Sequence, residues 1–156
     1  MEKQISIGNL IFHELKEQER SIAWLAQKVY CSHHTMCDIL KRDYLDTDLL
    51  LRISKSLKYD FFTHYSAFLK ERCLLIDIET NIVEKEKIVI GNLIHKKLEE
   101  QERSVAWLAL KVRRKYSALS KILKRDYIDT TLLFHISDVL KYDFFAHYSA
   151  SLKKML

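Results

Sequence analysis

The sequence predicts an all-α protein that contains two copies of one domain. Offset by 83 residues, the segment 7–72 aligns with 90–155 without a gap, and 41 of the 66 aligned pairs are identical. The chain of 156 residues has no proline and only two glycines, Gly8 and Gly91, at the same place in each repeat. Short strands and hairpins need more turn residues than this. The repeat therefore predicts two helical domains of about 65 to 70 residues.

The first two helices of each copy are predicted from apolar spacing and from a serine. Apolar residues recur at the 3.6-residue helical period in helix 1 of both copies, at Ile7, Leu10, Ile11 and Leu15 and at Ile90, Leu93, Ile94 and Leu98. Ser21 and Ser104 are predicted N-caps of helix 2, because a serine hydroxyl can accept from the free backbone amides that follow it.

Helix 3 is predicted to begin between Ser32 and Thr35 and to end near Lys41 and Arg42, where cations suit the negative end of a helix dipole. Its expected core residues are Met36, Ile39 and Leu40 in copy one, and Leu119, Ile122 and Leu123 in copy two. Helices 4 and 5 are each predicted to follow an aspartate in both copies: Asp46, Asp60, Asp129 and Asp143. Each copy is thus expected to contain five helices.

The segment Ser-Ile-Ala-Trp-Leu-Ala-Gln-Lys-Val, a short connection and a helix ending in Ile-Leu-Lys-Arg together resemble a helix-turn-helix. Each copy resembles the Cro and repressor-type (lambda-repressor-like, Xre family) domain of bacterial transcriptional regulators, over nearly all of its length. The resemblance implies two tandem five-helix domains, 1–72 and 88–156, joined by a linker at 73–87. It also implies that helix 3, the candidate reading helix, lies in the DNA major groove with helix 2 packed across it.

Carried over by position, the resemblance puts the base-reading face on two sets of residues: His33, His34, Thr35, Cys37 and Asp38 in copy one, and Tyr116, Ser117, Ala118, Ser120 and Lys121 in copy two. Both sets fall within nine consecutive positions, 30–38 and 113–121, at which the copies differ at every residue. Two interpretations stay open. Either the copies contact different base-pair edges, or the sequence of copy one is no longer under functional constraint and has diverged.

Charge is unevenly divided between the copies. Residues 1–72 hold 11 Lys and Arg against 10 Asp and Glu, whereas residues 89–156 hold 13 against 7. Basic residues flank and occupy the reading helix of copy two, at Arg113, Arg114, Lys115, Lys121, Lys124 and Arg125. Copy one offers Lys41 and Arg42 there, and has Asp38 where copy two has Lys121. Because phosphate neutralisation supplies much of the affinity for DNA, copy two is predicted to be the stronger binder.

The chain departs from the family pattern at the turn before helix 3. This turn usually holds glycine or asparagine, whereas here it has Tyr30 and Arg113, so it either avoids positive φ or bears strain. Lys115 stands where copy one has the cap residue Ser32, which leaves open a later start of the second reading helix with Ser117 as its cap.

Three cysteines, none repeated between the copies, do not make a disulfide framework, and reduced thiols are expected. Cys31, His33 and Cys37 have the ligand types and spacing for zinc or another thiophilic metal, which is kept as an alternative to a small buried thiol beside polar groove residues. Otherwise no metal and no cofactor are expected.

The helix 5 aromatics Phe61, Phe62, Phe144 and Phe145 are expected in the core, and they also offer a contact for a homodimer or for an intramolecular pseudo-dimer. The 15 residues of the linker reach about 50 Å when extended, and successive half-sites on DNA are about 34 Å apart. One chain is therefore long enough to span both.

The resemblance implies a bacterial, cytoplasmic, nucleoid-associated DNA-binding transcription regulator that acts on double-stranded DNA, and the charge distribution agrees with it. No apolar run reaches the roughly 20 residues of a membrane span, and the first residues do not read as a signal peptide. No enzyme activity is expected, because there is no phosphate-binding glycine loop and no nucleophile beside a base. The alternative is a protein-interaction module, antitoxin- or antirepressor-like, in which near-neutral copy one binds a protein.

Overall fold

The computed structural model describes residues 5–72 and 87–155, and it confirms the prediction of an all-α fold. No strand is found within these residues. Each copy contains five helices in the described part. They are α1 (Ile7–Glu17), α2 (Ile22–Lys28), α3 (His33–Ile39), α4 (Thr47–Leu57), α5 (Phe62–Arg72), α6 (Ile90–Glu100), α7 (Val105–Lys111), α8 (Tyr116–Ile122), α9 (Thr130–Leu140) and α10 (Phe145–Met155). None of the helices in 5–72 and 87–155 combines the length and the apolar character that a membrane crossing requires.

The predicted caps of the second and third helices are confirmed where a serine is present. Ser21 Oγ accepts from the Trp24 amide at 3.0 Å, and Ser104 Oγ accepts from the Trp107 amide at the same distance. Ser32 Oγ accepts from the Thr35 amide at 3.1 Å. Each bond satisfies one of the amides that a helix start leaves without an intrahelical partner.

The aspartates that precede the last two helices of each copy occupy the predicted positions. Asp129 accepts from two amides of the first turn of α9, whereas Asp46 holds the equivalent position before α4 without a side-chain cap bond. Asp60 Oδ1 accepts from the Phe62 amide at 2.9 Å, and Asp143 Oδ1 accepts from the Phe145 amide at 3.0 Å. Local side-chain chemistry thus fixes where these helices begin.

The core follows most of the predicted apolar positions, although Leu10 and Leu93 of the first helices are only half-buried. Met36, Leu119 and their neighbours are buried as expected, but Ile122 is only half-buried. It packs at the margin of the core, while Leu123 next to it is 4% exposed. The counterpart of Ile122 in copy one, Ile39, is 3% exposed, so the two copies differ at this position of the core.

The two glycines are required by a close approach between helices. The amide of Gly8 donates to the Arg42 carbonyl at 3.0 Å, so α1 lies directly against the end of α3. A Cβ atom at Gly8 would overlap the Leu40 carbonyl, and one at Gly91 would overlap the Leu123 carbonyl. Glycine is therefore the residue that lets the first helix rest on the backbone of the candidate reading helix.

The turn before α3 and α8 is left-handed without glycine. Tyr30 has φ 60° and Arg113 has φ 57°. Of the two possibilities that the sequence left open, the backbone takes the strained one, since non-glycine residues in this region cost of order 1 kcal/mol. Lys58 and Lys141 repeat the same conformation at the ends of α4 and α9.

The two copies contact each other through the segments that lead into α4 and α9. Asp46 and Asp129 form an isolated antiparallel bridge. The Thr47 amide donates to the Ile128 carbonyl and the Thr130 amide to the Leu45 carbonyl, both at 2.8 Å. Thr47 and Thr130 are themselves fully buried, and each hydroxyl accepts a backbone amide from the other copy at 3.1 Å.

Aromatic rings extend this contact along α5 and α10. Phe62 stacks on Tyr148 with ring centroids 4.7 Å apart, and Tyr65 stacks on Phe145 at 4.5 Å. Phe61 and Phe144, by contrast, pack against Tyr59 and Tyr142 of their own copies. The predicted core character of all four phenylalanines is confirmed, since each is 0% exposed.

Candidate nucleic-acid interface

Both candidate reading helices are held from beneath by the helix that precedes them. α3 packs against α2, and α8 packs against α7. Met36 and Ile39 anchor α3, whereas Leu119 anchors α8. Most of the remaining positions of these seven-residue helices are exposed, whereas Cys37, Ser120 and Ile122 are half-buried.

The outer face of copy two carries the residues that the sequence singled out. Ser120 is half-buried, while the other candidate residues are exposed: Arg113, Arg114, Lys115, Tyr116, Ser117, Ala118, Lys121, Lys124 and Arg125. They form one continuous stretch from the turn before α8 to the connection after it. Polar, aromatic and cationic groups are therefore all exposed on and around α8.

The positive charge of this surface is mostly uncompensated. Arg113, Arg114, Lys115, Lys121 and Lys124 form no ion pair with any acidic side chain in 5–72 or 87–155. The Arg125 guanidinium lies over the Tyr127 ring, 5.7 Å from its centroid. The nearby Asp126 is paired with Lys87 at 3.3 Å. Cations without acidic neighbours are what a polyanion needs.

The equivalent face of copy one is exposed but close to neutral. His33, His34, Thr35 and Asp38 are exposed, Cys37 is half-buried, and Lys41 and Arg42 are exposed just beyond the helix. His34 Nε2 lies 3.6 Å from Asp38 Oδ2, one helical turn away. The exposed acidic side chain of Asp38 therefore occupies the position on α3 where α8 carries Lys121.

The alternative of a metal site is not supported by the arrangement of ligands. Cys37 Sγ lies 3.7 Å from His33 Nδ1, but within the described residues no three His, Cys, Asp or Glu side chains come together to hold an ion. Cys31 and Cys37 are free thiols, both half-buried. The set of Cys31, His33 and Cys37 therefore does not assemble as a site.

The alternative start of the second reading helix is wrong. α8 begins at Tyr116 with Lys115 in the N-cap position, and Ser117 lies inside the helix. Lys115 makes no side-chain cap bond. A capping bond contributes only about 1 kcal/mol, so the packing of Leu119 against the core keeps α8 in register with α3 even without one.

Two tyrosines that sequence reasoning did not select lie beside the candidate faces. Tyr44 is 51% exposed and Tyr127 is 38% exposed, and both stand in the connection after the reading helix. Their hydroxyls are of the kind that bind DNA phosphates. The only sequence signal was that an aromatic residue repeats in a polar loop, which is equally typical of a core residue.

The ends of the two faces converge where the copies meet. Burial raises the pKa of Asp46, and the carboxylate of Asp129 raises it further, while the charges of Arg42 and Arg125 oppose that rise. Both arginines, one from each copy, therefore act on the same carboxylate. Arg42 and Arg125 lie just beyond the ends of α3 and α8, each four residues before the bridge residue of its own copy.

Comparison of the chain with protein-family models, with curated proteins and with solved structures returned no match. The predictions for residues 73–86, including the reach of the linker, concern a segment outside the described residues.

Proposed function

We propose that this protein is a sequence-specific DNA-binding transcription regulator that reads the major groove with α8, and with α3 in a second, weaker role. The observation that carries the proposal is the exposed, unpaired cationic surface on and around α8. An exposed helix about 10 Å long, supported by a second helix across it, has the dimensions that the major groove admits.

Each group on the α8 surface has a role that fits its chemistry. Arg113, Arg114 and Lys115 precede the helix and would contact phosphates, as Lys124 would beyond its end. Tyr116, Ser117, Ser120 and Lys121 lie on the helix and would meet base edges. Serine and lysine side chains can donate to the purine acceptors exposed in that groove.

The resemblance to helix-turn-helix regulators supports the same assignment, because the α2–α3 and α7–α8 pairs stand where that family carries its DNA-binding motif. In copy one, His33, His34 and Thr35 would take the base-reading positions. Lys41 and Arg42 would contact phosphate, and Asp38 would weaken binding through repulsion from the polyanion.

The test is selection from a random duplex pool followed by titration at several salt concentrations. We expect an enriched motif whose affinity for the protein falls steeply as salt rises, in proportion to the phosphates neutralised. Arg114→Ala should weaken binding to all duplexes and lower the slope of log K against log salt by about 1, whereas Lys121→Ala should weaken binding and relax specificity at the base that it meets. Lys96→Ala and Lys153→Ala remove the same charge from α6 and α10, outside the candidate face, and serve as matched controls.

A protein-interaction role for copy one is the second candidate. Tyr30 is 92% exposed beside a face of nearly balanced charge, which is more typical of protein contacts than of DNA contacts. If no duplex is enriched even at low salt, the regulator proposal fails and a protein partner becomes the leading candidate. Binding to such a partner would depend far less on salt.

A further inference from the structure

The contacts between the copies are reciprocal. Thr47 donates to Ile128, and their twins exchange the same bond, from Thr130 to Leu45. Phe62 stacks on Tyr148, and the twin pair Phe145 and Tyr65 stacks in the same way. When residue i contacts j and the twin of i contacts the twin of j, the two bodies are related by a twofold axis.

An approximate twofold axis restricts how the reading helices can be arranged. Rotation about an axis leaves the position along that axis unchanged, so α3 and α8 lie at the same level. Arg42 and Arg125, just beyond the two helices, both act on Asp46 at the axis. Ile39 is only seven residues from Asp46, which places the end of α3 within about 25 Å of the axis. The ends of the two helices therefore lie no more than about 50 Å apart, a limit that exceeds the spacing of about 34 Å between successive half-sites.

The contact also contains two pairs that require unlike copies. Phe68 packs on Phe134 with centroids 5.2 Å apart, and Arg72 Nε lies 3.3 Å from Asp138 Oδ2. Each of these residues differs from its twin: Phe68 from Ser151, Phe134 from Leu51, Arg72 from Met155 and Asp138 from Lys55.

Pairing two first copies from separate chains would lose both of these contacts. Arg72 would then face Lys55 instead of Asp138, so an attraction becomes a repulsion. Two second copies would place Ser151 against Phe134 and would leave Asp138 without Arg72. Such repulsive and unmatched pairs are how an interface selects one partner over a close relative.

We infer that the interface selects the pairing of copy one with copy two, and that one chain binds a duplex carrying two different half-sites in inverted orientation. The DNA part of this inference rests on the proposed function. Inverted order follows from the twofold axis, because half-site symmetry mirrors the symmetry of the protein. The half-sites differ because α3 and α8 carry different outer faces.

The first experiment uses the duplex enriched by selection and three rearrangements of it: one half reversed into a direct repeat, and two palindromes, each made from a single half-site. Affinity is measured by fluorescence anisotropy, and the number of chains per duplex by light scattering after gel filtration. We expect one chain on the selected duplex. Reversing one half should weaken binding roughly a hundredfold, because the second contact can no longer form on the same duplex.

Equal affinity for the direct repeat would overturn the inverted arrangement. Two chains bound to a palindrome as tightly as one chain to the selected duplex would overturn the unlike pairing. Neither result would contradict the proposal that the protein binds DNA. That proposal is contradicted only if no duplex is enriched, and the inference about two half-sites would then be wrong as well.

The second experiment tests the pairing without DNA. Phe134→Leu with Asp138→Lys gives copy two the contact residues of copy one. It should accelerate hydrogen exchange of the Thr47 and Thr130 amides roughly tenfold, because the ring pair and the ion pair between the copies are lost together with the pair of Asp138 and Lys141 inside copy two. Leu51→Phe with Lys55→Asp makes the reverse exchange and retains both pairs, so exchange should stay unchanged. Equal acceleration in both variants would refute the selective interface.

Discussion

The hydroxyl of Tyr148 in the second copy donates to Thr47 Oγ1 of the first copy at 3.1 Å. The same oxygen accepts the amide of Ile128. The hydroxyl of the buried Thr47 therefore accepts from both a side chain and a backbone amide of the other copy. In the reciprocal contact, the hydroxyl of Thr130 accepts the Leu45 amide. The contact between the copies is as much polar as aromatic.

Thr47→Val should destabilise the protein by about 1 to 3 kcal/mol, because it leaves the Ile128 amide buried without an acceptor. Tyr148→Phe removes the phenol donor alone and should cost less, about 1 kcal/mol. Urea unfolding of both variants measures the difference. Similar losses from the two changes would mean that the Ile128 amide finds another partner.

Alkaline pH should lower the free energy of unfolding through the ionisation of Tyr65. Burial raises the pKa of Tyr65 to about 12, from an ordinary value of 10.0. The folded state thus keeps the phenol neutral to a higher pH than the unfolded state, and this stability is complete below pH 10 and lost as the pH rises toward 12. Relative to Tyr65→Phe, the free energy of unfolding of the wild type should fall by about 1.4 kcal/mol by pH 11.

The free-energy difference between the wild type and Tyr65→Phe should be flat between pH 7 and pH 9, where neither state of Tyr65 ionises. A difference that changes within that range, or stays constant through pH 11, would contradict the burial of this phenol.

Gly91→Ala should lower the free energy of unfolding by roughly 2 kcal/mol or more. The new methyl group meets the rigid Leu123 carbonyl and must push α6 away from α8. Asn92→Ala is the control, since Asn92 is exposed on the same turn of α6. Thermal unfolding compares the two. If Gly91→Ala were as stable as the wild type, the close approach of α6 to the end of α8 would be disproved.

Lys58→Gly should stabilise the protein by up to about 1 kcal/mol, because the φ of 52° at this helix end suits glycine better than lysine. Lys96→Gly makes the same substitution inside α6, where glycine costs about 1 kcal/mol. The two variants should therefore shift the melting temperature in opposite directions. A loss of stability in both would argue against the left-handed end of α4.

Asp38→Lys places on α3 the residue that α8 carries at the same position. If α3 lies against the duplex, the change should strengthen binding to DNA. It should also steepen the slope of log K against log salt concentration by about 1. Glu17→Lys makes the same change of charge on an exposed residue at the far end of α1. An equal gain in both variants would indicate a general charge effect, with α3 remote from the DNA.

The helices and their starting residues were largely accessible from the sequence, because they depend on local chemistry. Ser21 and Asp60 bond to amides two or three residues away, and such spacings are visible in the residue order. The start of α8 was harder to place, since Lys115 offers no cap and core packing determines the register there.

The relation between the copies was not accessible in the same way. The bridge of Asp46 with Asp129 joins residues 83 positions apart, and no local pattern distinguishes it from two separate helix starts. The sequence indicates a contact through the helix 5 aromatics, but only the folded structure distinguishes Phe62, which stacks on the other copy, from Phe61, which does not. For the candidate site, the sequence provides the residues and charges, and packing decides which faces are exposed.

Because the Asp46 and Asp129 segments belong to one polypeptide, their association is a unimolecular equilibrium. Dilution separates the subunits of an ordinary homodimer, but it cannot change the ratio of joined to parted copies here. Occupancy of a two-part target would then rise with the first power of protein concentration and without a threshold. A cell holding only a few molecules would still hold them in the paired form.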